Sequence, residues 1–197
     1  MSTLELKELS APAGQVIKIA AGKTLDLKSQ GSVTMPTGSV LQVVSSTLKS
    51  ASAITSNSTN TFVSLGLSAA ITPVSTSSKI LVEVNINVGM TVGTFHFRIA
   101  RGSDQTICIG DAGASNQLRD TASFREASTP YVHSMTPVPI SFVDSPSTTS
   151  ATTYSVVGTI GSTYPNAVMY INRPQASGNF DYDPRSTSTI TLMEIQG

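Results

Sequence analysis

Lys79-Ile80-Leu81-Val82-Glu83-Val84-Asn85-Ile86-Asn87-Val88 decides how this chain is read. Ile80, Val82, Val84, Ile86 and Val88 fall on one face of an extended segment; Glu83, Asn85 and Asn87 fall on the other. A side-chain period of two marks a strand with one face in a core and one toward water or a neighbour. The pattern repeats downstream, where Phe95, Phe97 and Ile99 alternate with His96, Arg98 and Ala100. Upstream, Thr61-Phe62-Val63 and Ala69-Ala70-Ile71 read as short strands ending at Pro73. The turn Arg101-Gly102-Ser103-Asp104 leads to a strand over Thr106-Ile107-Cys108-Ile109. Further strands are Pro139 to Val143, Thr153 to Val157, Val168 to Ile171 and Thr189 to Ile195. No long run carries a helical period with a cap at each end. Short strands separated by turn residues predict an all-β chain, with a jelly-roll-like antiparallel β-sandwich over residues 61–197.

Composition agrees. Of 197 residues, 39% are apolar and 12% charged, with 30 Ser and 25 Thr supplying the polarity. Thr suits pleated strands, and Ser, Gly and Pro suit turns. Twelve basic and twelve acidic residues give zero net charge. Without a basic stripe, nucleic acid is not an expected partner. A neutral Ser/Thr surface is compatible with packing against identical copies. One cysteine, Cys108, excludes an internal disulfide and reads as an inert thiol. Met1-Ser2-Thr3-Leu4-Glu5 carries no signal pattern, and no apolar run is long enough to span a membrane, so synthesis in a cytoplasm is expected.

Residues 1–44 differ from the rest. Pro12-Ala13-Gly14-Gln15-Val16-Ile17 is echoed around Gly22, Gly31 and Gly38, each glycine preceding a short alternating segment. Such strands bury little alone, which predicts an intertwined trimeric stalk that anchors and trimerises the chain, with a plain β-meander as the alternative. Residues 45–60 read as a Ser/Thr/Asn-rich linker. Asn57-Ser58-Thr59 fits a glycosylation pattern that means nothing without a secretory signal. Gly110 to Tyr131 reads as a long polar excursion, where binding tends to reside.

A search for chemistry finds none. His96 and His133 have no second His or Cys at ligand spacing. Asp181-Tyr182-Asp183 places two carboxylates together, for a calcium ion or, more simply, for a turn. No nucleophile elbow, phosphate loop or paired catalytic acids appear. No catalytic residue, metal or cofactor is assigned.

Three blocks carry a resemblance. Ala21-Gly22-Lys23-Thr24-Leu25-Asp26-Leu27 and Pro36-Thr37-Gly38-Ser39-Val40-Leu41-Gln42-Val43-Val44 resemble the short β-repeats of tail-fibre-like virion proteins of tailed phages, cyanophages especially, as does the start Met1 to Leu9. Ile71 to Val82 and Phe142 to Tyr154 are similar to the start and middle of their terminal domain, and Ser188 to Ile195 to its end. The resemblance implies a non-enzymatic homotrimeric virion component. The short stalk favours a short fibre or a protein decorating head or tail, contacting itself and other virion proteins at the particle surface. A receptor-binding module for host surface glycan is the alternative, and a glycan-cleaving enzyme a remote third. The residues singled out for receptor or partner contact are Arg119, Arg125, Arg173, Phe180 and Tyr182.

Overall fold

The computed structural model describes residues 21–22, 35–55, 60–128, 131–161 and 163–197. The chain divides into two units, Met1–Met35 and Pro36–Gly197. Of the glycine-repeat stalk read over residues 1–44, residues 1–20 and 23–34 lie outside the described residues, as does Asn57-Ser58-Thr59.

The second unit is a sandwich of ten antiparallel strands: β1 (Val40–Leu48), β2 (Ser52–Thr55), β3 (Val63–Ile71), β4 (Lys79–Met90), β5 (Gly93–Arg101), β6 (Ala122–Glu126), β7 (Thr136–Asp144), β8 (Thr152–Ile160), β9 (Val168–Ile171) and β10 (Ser188–Ile195). One sheet runs β3-β8-β5-β6. In the other, β7 pairs with one edge of β4, while β10 and then β9 share its opposite edge. β1 continues outward from β10, and β2 from β9. The ten strands therefore fill eight lanes, four to a sheet. The chain crosses between sheets after β2, β3, β4, β6, β7 and β8, which is the jelly-roll order.

Several sequence expectations move. The sandwich begins at Pro36 rather than Thr61: β1 and β2 occupy residues assigned to stalk and linker, because Val44, Leu48 and Ile54 pack against the core. Thr106 to Ile109 is a turn, not a strand. Asp104 holds it there, its Oδ1 accepting from the Thr106 amide (2.8 Å) and hydroxyl (2.6 Å). The Gly110 to Tyr131 excursion contains β6, whose Phe124 stacks on Phe95 and Phe97 at 5.4 and 5.9 Å. The two short strands around Leu67 are one, kinked where Gly66 adopts φ 85° and shifts the register against β8.

The alternation of β4 is realised: Ile80, Val82, Ile86 and Val88 are fully buried, and Glu83 and Asn85 are exposed. They meet Phe95, Phe97 and Ile99 of the opposite sheet in one core. The outer face of the β4 sheet is unusual. Val43, Met193, Leu81 and Val143 are register partners across β1, β10, β4 and β7, forming a transverse apolar row. Val43 is 56% exposed and Val143 54%. The next row, Ser45, Thr191, Glu83 and Ser141, is polar. Pro137 and Pro139 remove backbone donors from β7, consistent with its place at an edge.

Two buried acids close the end of the sandwich where β1 and β4 begin. Asp144, on β7, accepts two hydrogen bonds from Arg101 (2.9 and 3.0 Å) and one from the buried Tyr154 hydroxyl (2.6 Å). Burial and the adjoining carboxylate push the Tyr154 phenol well above its ordinary range. The group ties β7 of one sheet to β5 and β8 of the other. Glu194 is fully buried. Burial opposes its charge, but hydrogen bonds from Gln42 (2.5 Å) and the Val74 amide (2.7 Å), among others, outweigh burial and lower its pKa.

Asp144→Ala should destabilise the sandwich by ~3 kcal/mol in urea unfolding, since it strands a buried hydroxyl and a guanidinium; a change near zero would show that this contact does not join the sheets. Because the Glu194 carboxyl is lower in the folded state, its contribution is present above the ordinary value of 4.5 and is lost as pH falls through the folded value. Glu194→Gln should flatten the decline in stability below that point, and an unchanged pH profile would contradict the assignment.

Candidate functional site

The lane shared by β9 and β10 is interrupted. Ile171 pairs with Val88, and Thr189 with Asn85; between them the chain leaves the sheet over residues 172–187. Asn172 makes the exit possible. It adopts φ 58°, a left-handed conformation that asparagine tolerates better than most residues. Its amide donates to Asn87 O (2.9 Å), keeping the ladder going for one more bond. Its buried side chain donates to Leu48 O and Ser50 O at the break between β1 and β2, and accepts from the Ser188 hydroxyl at 2.6 Å. One residue thus seals two interrupted lanes at the same level.

The excursion then crosses the outer face of β4. A Cβ on Gly89 would lie 2.5 Å from Arg173 O and 2.7 Å from Pro174 Cα, so only glycine permits this approach. Beyond, the Ala176 amide donates to Val132 O (2.8 Å). Asp183 pairs with His133 Nδ1 and accepts from the Gly178 amide (2.6 Å). These contacts set four rings in a row. Phe180 stacks on Tyr182 at 4.9 Å with planes 6° apart; Tyr182 meets His133 edge-on at 4.8 Å; His133 meets Tyr131 at 5.0 Å. Phe180, Tyr182 and Tyr131 are 59%, 51% and 69% exposed. The row lies toward the end opposite the start of β1, because Thr136 pairs with Val88 whereas Val40 and Lys79 both pair with Ile195.

A second feature is a polar cleft of about 450 Å³ lined by His96, Gly110, Asp111, Asn116, Arg119, Asp120 and Tyr164, among others. His96 Nδ1 and Asp120 Oδ2 are 2.5 Å apart, and Arg98 donates to Arg119 O (2.6 Å), holding residues 110–121 against β5. Both histidines of the chain therefore pin an excursion through an aspartate.

Of the five residues singled out from sequence, a ring contact joins two, Phe180 and Tyr182. Their planes lie 6° apart. Arg173 lies over Tyr170 at 4.2 Å and donates to Pro174 O and Gln175 O at the root of the same excursion. Arg125 stands 5.9 Å over Tyr164, beside the polar cleft. Arg119 donates to Gly110 O (2.7 Å) and braces its own loop; no hydrogen bond or ring contact among the described residues joins it to the aromatic row. Tyr131 and His133 were missed, since nothing local links them to residues some fifty positions later. Asp181 and Asp183 do not act as a pair: Asp183 turns inward while Asp181 stays exposed. Among the described residues no cluster of three or more His, Cys, Asp or Glu could hold a metal ion. Burial, with the Asp144 charge adding to it, raises the Cys108 thiol.

Fold and site define a jelly-roll sandwich carrying a braced aromatic loop pair at one end. No protein-family model and no curated protein matches the chain. Among solved structures it is similar to T=1 particles derived from infectious bursal virus (TM-score 0.36, 10% identity, covering 88% of this chain and 40% of that one). It is also similar to the VP2 subviral particle of infectious bursal disease virus (TM-score 0.30, 11% identity, 88% and 45% covered). The chain spans less than half the length of either.

Gly89→Ala should cost ~2 kcal/mol by forcing backbone apart, and should speed hydrogen exchange over residues 173–183. Unchanged stability and exchange would mean that the excursion does not rest on β4.

Proposed function

We propose that the chain is a non-enzymatic structural subunit of a phage virion, a homotrimeric short fibre or surface-decoration protein attached through its N-terminal residues. The observation that carries this reading is the apolar row Val43, Met193, Leu81 and Val143 on the outer sheet face, next to which Val40, also half-exposed, pairs with Ile195. A lone sandwich gains nothing from valines half in water, whereas a second copy laid on the row removes them from it. Zero net charge adds no repulsion between copies. The virion setting rests on the sequence resemblance to tail-fibre-like proteins, and jelly rolls are frequent in viral shells without being confined to them. A structural role also suits the use made of the reactive groups. Asp144 and Glu194 are buried in hydrogen bonds, and both histidines brace loops.

Light scattering of the full chain should give about three times the 20.5 kDa subunit mass. Val43→Lys with Val143→Lys should lower it, with little change in subunit stability because both positions are exposed. A monomer, or a trimer indifferent to both lysines, would contradict the reading.

A second reading, a receptor-binding module for host surface glycan carried by the same subunit, is favoured by the aromatic row. Its rings stand on loops toward the end away from Val40, where the chain enters the sandwich. Labelled protein should adhere to cells of the phage's host, and absence of adhesion would remove this reading.

A further inference from the structure

We propose that the row Phe180-Tyr182-His133-Tyr131 binds the flat apolar faces of neutral hexose rings, which deepens the receptor-binding reading and rests on it. Aromatic faces stand exposed at both ends of the row. Phe180 stacks on Tyr182 on one side and has no other ring partner among the described residues, and Tyr131, at the far end, is the more exposed of the two. A hexose ring carries axial C–H groups on one face, which are weakly positive and complement the negative face of an aromatic ring.

The polar neighbours of the rings on the excursion include Ser177, Asn179, Asp181 and Arg185, all exposed. They offer hydroxyl, amide, carboxylate and guanidinium groups, the set that matches sugar hydroxyls by donating and accepting alike. An apolar protein partner would call instead for several aliphatic neighbours, and beside the rings the excursion exposes one, Pro184. Asp181 and Arg185 carry opposite charges, so the surround has no bias toward anionic sugars, and Arg185 is already committed to the Ser177 hydroxyl at 2.7 Å.

The loop is also braced. The Asp183 contacts to His133 and Gly178, the Ala176 bond to Val132 O and the Arg173 packing on Tyr170 fix the loop before any ligand arrives. Little ordering entropy is then charged against binding. Sugar contacts are individually weak, and three copies on one trimer would raise the avidity for a polysaccharide.

The probes are maltohexaose, mannohexaose and a β-galactan hexamer, titrated into the full chain by calorimetry. Saturable binding to at least one is expected, weakened about tenfold or more in Phe180→Ala. Tyr182→Ala should do the same, and Tyr182→Phe, which keeps the stack, should retain most of the affinity. Arg119→Ala, away from the row, should leave it unchanged. No binding to any of the three sugars, or binding indifferent to Phe180→Ala, overturns the proposal. Cell adhesion is scored separately. Sugar binding without adhesion upholds the site and removes the receptor reading; adhesion without sugar binding does the reverse.

Discussion

The Asn172 side chain is the contact on which the rest of the molecule depends. Two lanes of one sheet are broken at the same level, and each break would leave backbone groups without ladder partners. Asn172 donates to carbonyls at one break and accepts from Ser188 at the other, while the Ser188 hydroxyl also accepts from the Asn87 amide. The residue is 1% exposed, so the groups it satisfies have no water to turn to. With the breaks sealed, ten short strands behave as eight lanes, and a loop can leave mid-sheet without opening the core beneath it. The aromatic row is a consequence of that exit.

The molecule separates its duties along its length. Near the end where the chain enters the sandwich, Arg101, Asp144 and Tyr154 clamp the two sheets together, and Glu194 is held by its own set of donors. The apolar row crosses the outer sheet face on the side of these groups. Toward the opposite end, short connections and the 172–187 excursion carry the aromatic rings. A subunit built this way can pack against copies of itself near its base and still present a different surface farther out, because the two surfaces share no residues.

The sandwich was legible in the sequence wherever alternation was unbroken. β4, β5 and β10 follow a period of two over enough residues that one face can only be buried. β1 was not, and the reason is local: its register slips between Val40 and Gln42, and its outward Ser45 and Thr47 look like linker residues when their partners Thr191 and Thr189 are unknown. Asp144 fell just past the strand read over Pro139 to Val143, since its value comes from Arg101, 43 positions earlier, and Tyr154, ten positions later. At the site, Phe180 and Tyr182 stood out as aromatics in a polar loop, but Tyr131 and His133 could be joined to them only by the fold. Arg119 was singled out in the polar excursion from Gly110 to Tyr131, and the structure gives it work inside its own loop.

The central claim is that one subunit assembles through its outer sheet face and leaves its aromatic loops free. Electron cryomicroscopy of the assembled protein tests it most directly. The account predicts Val43, Leu81, Val143 and Met193 buried between copies, with Phe180 and Tyr131 facing solvent. An assembly in which the valine row faces water while the aromatic row is buried between subunits would contradict it.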